Sequence, residues 1–347
     1  MTHAHRSLHA PHGILPPHIL RHLAHHGDDD ARTVAIDTLI ATERFRGERQ
    51  AVGDALRDVP AGVKRRTLYD AGHVQRLPGK LVRGENDPPT HDEAVNQAFD
   101  GIGATYDFYE EAMKRKSIDD RGERLDASVH YGRRYDNAFW NGRQMVFGDG
   151  DGKLFQGFTG CLEVIGHELT HGVIETEAAL VYSDQSGALN ESFADVLGIQ
   201  VKQWKLRQRS SEASWLLGEG LLAKGVKGVA LRSMKAPGTA YDDPRLGKDP
   251  QPATMKGFVH TEEDNGGVHV NSGIPNHAFY LAAVKLGGYA WEKAGPIWYH
   301  ALCNTLSRRS DFAGAARATM MSALALFGAS TEAVVRAAWA EVGVSPG

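Results

Sequence analysis

His167-Glu168-Leu169-Thr170-His171 is the stretch of this 347-residue chain whose side-chain types and spacing describe chemistry most directly. It continues an apolar run, Cys161-Leu162-Glu163-Val164-Ile165, so a helix is expected there. Positions four apart share one face of a helix, which brings His167 and His171 together. Two imidazoles so placed can take two corners of a zinc tetrahedron, with Glu168 beside the ion and free to act as a base. The chemistry this predicts is zinc-assisted hydrolysis of a peptide bond.

Zinc in such a site needs a third protein ligand and keeps a fourth position for water. Glu191 follows in Asn190-Glu191-Ser192-Phe193-Ala194-Asp195, a segment that continues apolar through Val196, Leu197 and Ile199. A second helix packed on the first would supply Glu191 as ligand. Asp195, four residues on, would accept the free ring N–H of a ligating histidine and fix its tautomer. Further along, Gly266-Gly267 permits a close backbone approach, and Asp264 precedes His269 by five residues. Asp264 would orient that imidazole and raise its pKa, and a charged or donating His269 would stabilise an oxyanion. Taken singly, these segments also occur as surface histidines, a solvated helix edge and a plain turn. Their combination carries the reading.

Several elements must hold these groups. Residues 90–116 read as a long amphipathic helix with Thr90 as N-cap and a core stripe of Val95, Phe99, Ile102, Tyr106 and Tyr109. Short β-like runs lie in 64–83 (Leu68-Tyr69, Val74, Leu81-Val82). Residues 128–146 suit hairpin strands, with 137–139 as an edge that a peptide can extend as an added strand. Gly148-Asp149-Gly150-Asp151-Gly152 is expected to be a hairpin turn rather than a calcium loop, because Asp-Gly supplies positive φ. After about Thr159 the pattern is helical, notably over 276–286, 294–306, 311–327 and 331–342. The fold class is therefore α+β: a β-rich N-terminal lobe and a helical C-terminal lobe, with the zinc helix at the cleft between them.

The chain is 41% hydrophobic and 24% charged, which suits a soluble protein of two lobes, and its net charge of −4 carries no nucleic-acid signature. No stretch is long and apolar enough to span a membrane. Cys161 and Cys303 make no disulfide framework, and Cys161 reads as packing.

The set resembles the thermolysin-like zinc metallopeptidases, two-lobed zincins with a two-His-one-Glu site. The matching segments run from about Lys64 to the C-terminus. Tyr135-Asp136-Asn137-Ala138-Phe139-Trp140-Asn141-Gly142, His167 to His171, Gly187-Ala188-Leu189-Asn190-Glu191, Ala230-Leu231-Arg232-Ser233-Met234 and Asp264 to Gly273 stand in family order. The resemblance implies His167, His171 and Glu191 as ligands of one catalytic zinc, and Glu168 as the base acting on zinc-bound water. It implies Tyr182 and His269 as oxyanion donors, with Asp264 orienting His269, and Asp195 and Asn190 as partners of the ligating histidines. Asn137, Ala138 and Arg232 match groups that bind the substrate backbone. Phe155, Phe158, Val164 and Leu231 match the pocket for the residue after the scissile bond, so cleavage before bulky apolar residues is expected.

Calcium is where the chain departs from the larger members. Of their paired-calcium carboxylates Glu163 and Glu219 remain, but Lys202, Ser214 and Leu216 replace the others, and the aspartate of another calcium site before Leu231 is missing. A protonated lysine cannot ligate calcium. Lys202 is expected to replace the ion by pairing with Glu163 or Glu219, leaving little calcium dependence.

Eight of the 17 histidines lie between His3 and His26. A secretory signal is not evident, since a continuous apolar core and a small-residue cleavage site are missing. Gly13-Ile14-Leu15-Pro16-Pro17-His18-Ile19-Leu20 resembles the short propeptide of the protealysin-like branch, so residues 1–50 are expected to be a propeptide, 51–158 the β-rich lobe and 159–347 the helical lobe. The leader would block the cleft with a histidine or a backbone group near Pro16-Pro17. It has no cysteine for a thiolate lock. The histidine run itself is expected to be a disordered polar leader without a metal role, apart from a helix-like stretch over 30–45. Residues 43–60 read as a processing linker, with cleavage before Phe45, Val52 or Leu56. The expected partners are a peptide or protein substrate and the chain's own propeptide, with no nucleic acid or membrane, and the expected state is a monomer. Location is left open between cytoplasm and non-standard export. A catalytically silent zinc-stabilised peptide binder would need loss of Glu168 or His269, and both are present. A hydrolase of non-peptide amides would have no use for Asn137, Ala138 and Arg232.

Overall fold

The computed structural model describes residues 12–52 and 63–346. The leader contributes β1 (His12–Gly13), α1 (Pro17–His26) and α2 (Asp29–Val52). Two strands follow, β2 (Arg66–Asp70) and β3 (Lys80–Gly84), then α3 (Glu93–Ala112). The N-terminal sheet is completed by β4 (Leu125–Val129), β5 (Ala138–Trp140) and β6 (Met145–Phe147). The two helices of the cleft are α4 (Leu162–Thr176) and α5 (Asp184–Leu206). Short strand pairs come next, β7 (Leu216–Leu217) with β8 (Arg232–Ser233), and β9 (Asp242–Asp243) with β10 (Gly247–Lys248). The chain ends in α6 (Asp264–Asn271), α7 (Gly273–Leu286), α8 (Ala294–Asn304), α9 (Phe312–Phe327) and α10 (Ala329–Glu341). This is the two-lobed α+β arrangement expected. Among the described residues no helix is long and apolar enough to cross a membrane.

The six-stranded sheet has the order β1-β5-β6-β4-β2-β3. Strands β2, β4 and β6 are parallel neighbours, so their C-terminal ends emerge at one edge. Strands β5 and β6 form the hairpin. Helix α3 begins at Asp92, whose carboxylate accepts the Val95 N–H (3.2 Å), and ends at Ala112. Thr90 is therefore not the cap; its hydroxyl accepts the Asp92 N–H one step earlier (3.1 Å). The stripe Val95, Phe99, Ile102, Tyr106 and Tyr109 is buried as expected.

Every residue of α4 from Glu163 to Ile174 is buried, so this helix is packed on all sides. It meets α5 where Gly166 faces Gly198: a Cβ on Gly198 would stand 2.7 Å from both the Glu163 carbonyl oxygen and the His167 nitrogen. Glycine at this crossing lets the two backbones close up, and that closeness brings Glu191 to the histidine pair. The Tyr109 hydroxyl meets the Thr170 hydroxyl (2.7 Å) and ties α3 to the same helix.

Three further expectations are corrected. Gly148 to Gly152 is not a hairpin turn; it follows β6, and the Asp151 carboxylate accepts three N–H groups, from Lys153, Leu154 and Phe155, which fixes a side-chain-capped loop. The leader from His12 on is not a structureless polar run. Ile14, Leu15, Ile19, Leu20 and Leu23 are buried, and α1 starts at Pro17, where proline's missing N–H costs nothing. Helix α2 runs to Val52 rather than to about Phe45, through part of the expected linker; the remainder of that linker, with Leu56, lies outside the described residues.

Candidate active site

Helix α4 presents His167 and His171 with their Nε2 atoms 3.0 Å apart. The His167 Nδ1 lies 2.7 Å from Asp195 Oδ1, and a carboxylate only accepts, so Nδ1 carries the proton. The His171 Nδ1 lies 2.8 Å from Asn190 Oδ1, and the Asn190 amide nitrogen donates to the Leu180 carbonyl (3.1 Å), which settles which way that amide points. Both imidazoles thus turn unprotonated Nε2 lone pairs toward one point. Burial lowers the His171 pKa to about 3, so that ring is neutral and able to ligate. Helix α5 sets Glu191 against the pair, its two oxygens 3.6 Å from the two Nε2 atoms. Glu191 Oε2 is buried and has no hydrogen-bond partner among the described residues. Two facing lone pairs and an orphaned carboxylate oxygen are a donor set for a cation, and His, His and Glu are the ligand types zinc takes.

Around this point stand the other expected residues. Glu168 Oε2 accepts the Trp140 N–H (2.9 Å), while Oε1 is buried without a partner among the described residues. Burial and then the Glu191 charge push the Glu168 carboxyl well above the usual range. For Glu191, burial is outweighed by His269, His171, His167 and Arg232, and the net shift is downward. Two carboxyls a few ångströms apart are thereby driven in opposite directions, a pattern typical of acid–base sites. Helix α6 opens with Asn265, Gly266 and Gly267 in left-handed conformation, and this kink lets Asp264 reach back to hold His269 at both its N–H (2.9 Å) and its Nδ1 (2.7 Å). Against the effect of burial, Asp264 and Glu191 raise His269 to about 8. Its Nε2 lies 3.2 Å from the Tyr182 hydroxyl, which also donates to Glu191.

Arg232 forms two hydrogen bonds to Asp195 (2.9 and 2.8 Å) and a third to the Ile14 carbonyl (3.0 Å). The leader occupies the other expected backbone-binding groups too. Ile14 N–H donates to the Ala138 carbonyl (3.1 Å), and Leu15 N–H donates to Asn137 Oδ1 (2.9 Å). Strand β1 pairs antiparallel with β5, with Gly13 opposite Phe139. A Cβ on Gly13 would fall 2.3 Å from the Asn137 amide, so only glycine sits this close. The edge expected to be open to peptides therefore carries the chain's own leader.

Two family models match the chain: the thermolysin metallopeptidase catalytic domain over residues 40–175 and its alpha-helical domain over residues 178–344. This chain belongs to the thermolysin metallopeptidase family. It is 51% identical to the extracellular metalloprotease of Pectobacterium carotovorum subsp. carotovorum, over 95% of this chain and 96% of that one. It is 49% identical to protease PrtS of a Photorhabdus strain, over 96% of this chain and 92% of that one. Its structure resembles the precursor of protealysin, a metalloproteinase from Serratia proteamaculans, with a TM-score of 0.90 and 52% identity over 96% of this chain and all of the other.

The chain is thus a thermolysin-like zinc metalloendopeptidase, and His167, His171 and Glu191 form a donor set that could hold the ion. Sequence reasoning missed two supports of this thermolysin-family site. Asn276 on α7 donates to Asp195 Oδ2 (2.8 Å), and the Gln251 amide donates to the His269 carbonyl (2.8 Å). Neither sits at a motif spacing, so no local signal marks them. Phe155, Phe158, Val164 and Leu231 are all fully buried, in the same core that takes in Ile14 and Leu15. The cleft beside His269 is lined by Asn137, Tyr182, Asp264 and leader residues such as Gly13 and Leu15. Lys202 lies between the carboxylates of Glu163 and Glu219, 3.3 Å from the first and 2.9 Å from the second. Glu163 also accepts the Gly218 and Glu219 N–H groups (3.1 Å each).

Proposed function

We propose that this metallopeptidase is made as a precursor that inhibits and then processes itself, and that it cuts peptides before bulky apolar residues. The observation that carries the proposal is the leader backbone lying on Asn137, Ala138 and Arg232, the three groups expected to bind a substrate backbone. Zinc, when bound, supplies a Lewis acid that polarises the scissile carbonyl and acidifies water. Glu168 takes the proton of the attacking water and passes it to the leaving amine. Tyr182 and His269 donate to the oxyanion, with Asp264 holding His269 in place. Asp195 and Asn190 keep both ligating rings in the tautomer that binds metal. Intact mass of the full-length protein over time tests the reading. A fragment ending within residues 43–56 leaves the untreated protein but not a zinc-chelated one. A chain that stays whole while digesting added peptide removes the leader's inhibitory role. Cleavage sites in a random peptide library should have Leu, Phe or Ile as the new amino-terminal residue; clustering after Arg or Glu would refute the pocket assignment. The names of the relatives support export of this enzyme as well.

Docking of the leader should depend on pH. The His18 Nε2 lies 2.9 Å from the Tyr241 hydroxyl, and burial lowers His18 to about 4, against a pull from Asp264 and with help from His269, Arg232 and Arg21. A free leader histidine titrates at about 6.5. The bound form is therefore favoured in full above pH 6.5, and docking weakens as pH falls from there toward 4, by up to about tenfold per unit. Cleavage of the leader by an added protease should accelerate at pH 5 relative to pH 7, and His18→Gln should flatten that difference. An unchanged difference would remove His18 from the account.

We further propose that Lys202 makes the paired calcium site redundant. Selective calcium chelation with zinc retained should leave the melting temperature unchanged, and a large drop would count against the replacement.

A further inference from the structure

The parallel strands β2, β4 and β6 end side by side, and each is followed within a few residues by a group able to bind metal. These are His73, His130 and Asp149, and their ligand atoms lie within 4.8 Å of one another. His130 Nδ1 is 2.8 Å from Asp149 Oδ1, and His73 Nδ1 is 3.2 Å from Asp149 Oδ2. Ligands about 2.0–2.1 Å from a tetrahedral zinc are about 3.3 Å from one another, and the two separations to Asp149 lie close to that.

The backbone holds it in place. His73 and His130 both adopt left-handed conformations, with φ of 59° and 55°. The His73 N–H donates to the His130 carbonyl (2.9 Å) and the Tyr131 N–H to the Phe147 carbonyl (3.1 Å), so the three turns are stitched together. His130 has a further partner: its Nε2 lies 2.8 Å from Asp92 Oδ2, while the other Asp92 oxygen caps α3. A carboxylate on the outer nitrogen of an imidazole whose inner nitrogen faces two more donors is the arrangement that orients metal-binding histidines.

We propose that His73, His130 and Asp149 form a second zinc site, away from the catalytic pair, that clamps the C-terminal ends of three strands, with Asp92 as its positioning residue. Two imidazoles and one carboxylate favour zinc over calcium or magnesium, which prefer oxygen. An ion bound there displaces a proton from His130, so binding strengthens as pH rises. His73 is 56% exposed, and Asn tolerates a left-handed turn, so His73→Asn removes a ligand without disturbing the core.

The test uses the full-length chain carrying Glu168→Gln, which keeps it whole during dialysis against Zn2+. This protein should bind one more zinc ion than the same chain with His73→Asn, and the leader histidines, common to both, cancel. Added zinc should raise the melting temperature further in the first than in the second. Asp92→Asn, which still caps α3, should keep the extra ion but weaken it by about 10–100-fold. Equal zinc content and equal thermal shift with and without His73 would overturn the site. An unchanged affinity in Asp92→Asn would remove Asp92 from it.

Discussion

Glu168→Gln should lower kcat/KM on a blocked dipeptide amide by at least about 10²–10⁴-fold while leaving the protein folded and loaded with zinc. The size follows from what an acid–base group contributes to a transition state. The retention of fold follows from the geometry. The Glu168 carboxyl is buried, receives one N–H from Trp140 and is pushed toward its neutral form by burial and by Glu191. An amide of the same shape keeps an oxygen for that N–H and brings no charge into the core. Zinc content stays at the wild-type level because His167, His171 and Glu191 are untouched. The same substitution should stop loss of the leader, which separates self-processing from cleavage by a contaminant. Activity within tenfold of wild type would mean that Glu168 is not the base.

Asp195→Ala should be the most destabilising single change near the site, by about 3–5 kcal/mol. Asp195 and Arg232 are both buried, and the guanidinium is held by two hydrogen bonds to this carboxylate. Removing Asp195 strands a permanent cation in the core, together with the Asn276 amide that also donates to it. Zinc affinity should fall as well, by about 10–100-fold, because nothing then fixes the His167 tautomer. A second substitution separates the two effects: Arg232→Met on top of Asp195→Ala should restore much of the stability but none of the zinc affinity. Denaturant unfolding and a zinc-chelator titration read the two quantities. A stability loss under 1 kcal/mol would show that the pair is solvated in solution.

The sequence pattern and the structure agree most closely where one helical period carries the whole message. His167 and His171, or Glu191 and Asp195, stand four apart on buried helices, so their shared face follows from geometry alone. The core stripe of α3 was legible for the same reason, whereas its cap was shifted by two residues because Thr90 and Asp92 are both good capping types. Only the order of the leader was misread, because its histidines dominate its composition, while its anchors, Ile14, Leu15, Ile19, Leu20 and Leu23, are few and adjacent. Their burial depends on a surface supplied more than a hundred residues later. Asn276 and Gln251 were invisible because each acts through one long-range hydrogen bond. The cluster of His73, His130 and Asp149 was hidden for a related reason: it is assembled by parallel strand order, and no spacing along the chain records which strands will be neighbours.

The leader reaches the cleft while still joined to the enzyme by the stretch after Val52, and this tether has a kinetic consequence. Joined, the leader meets its site in a unimolecular equilibrium, whatever the dilution of the protein. Cutting the stretch alters none of the contacts at Asn137, Ala138 or Arg232, but it turns a unimolecular equilibrium into a bimolecular one. If the leader inhibits as proposed, a nicked but undiluted sample should stay silent. Activity should then emerge as the sample is diluted or as free leader is digested, and activation should accelerate with its own progress.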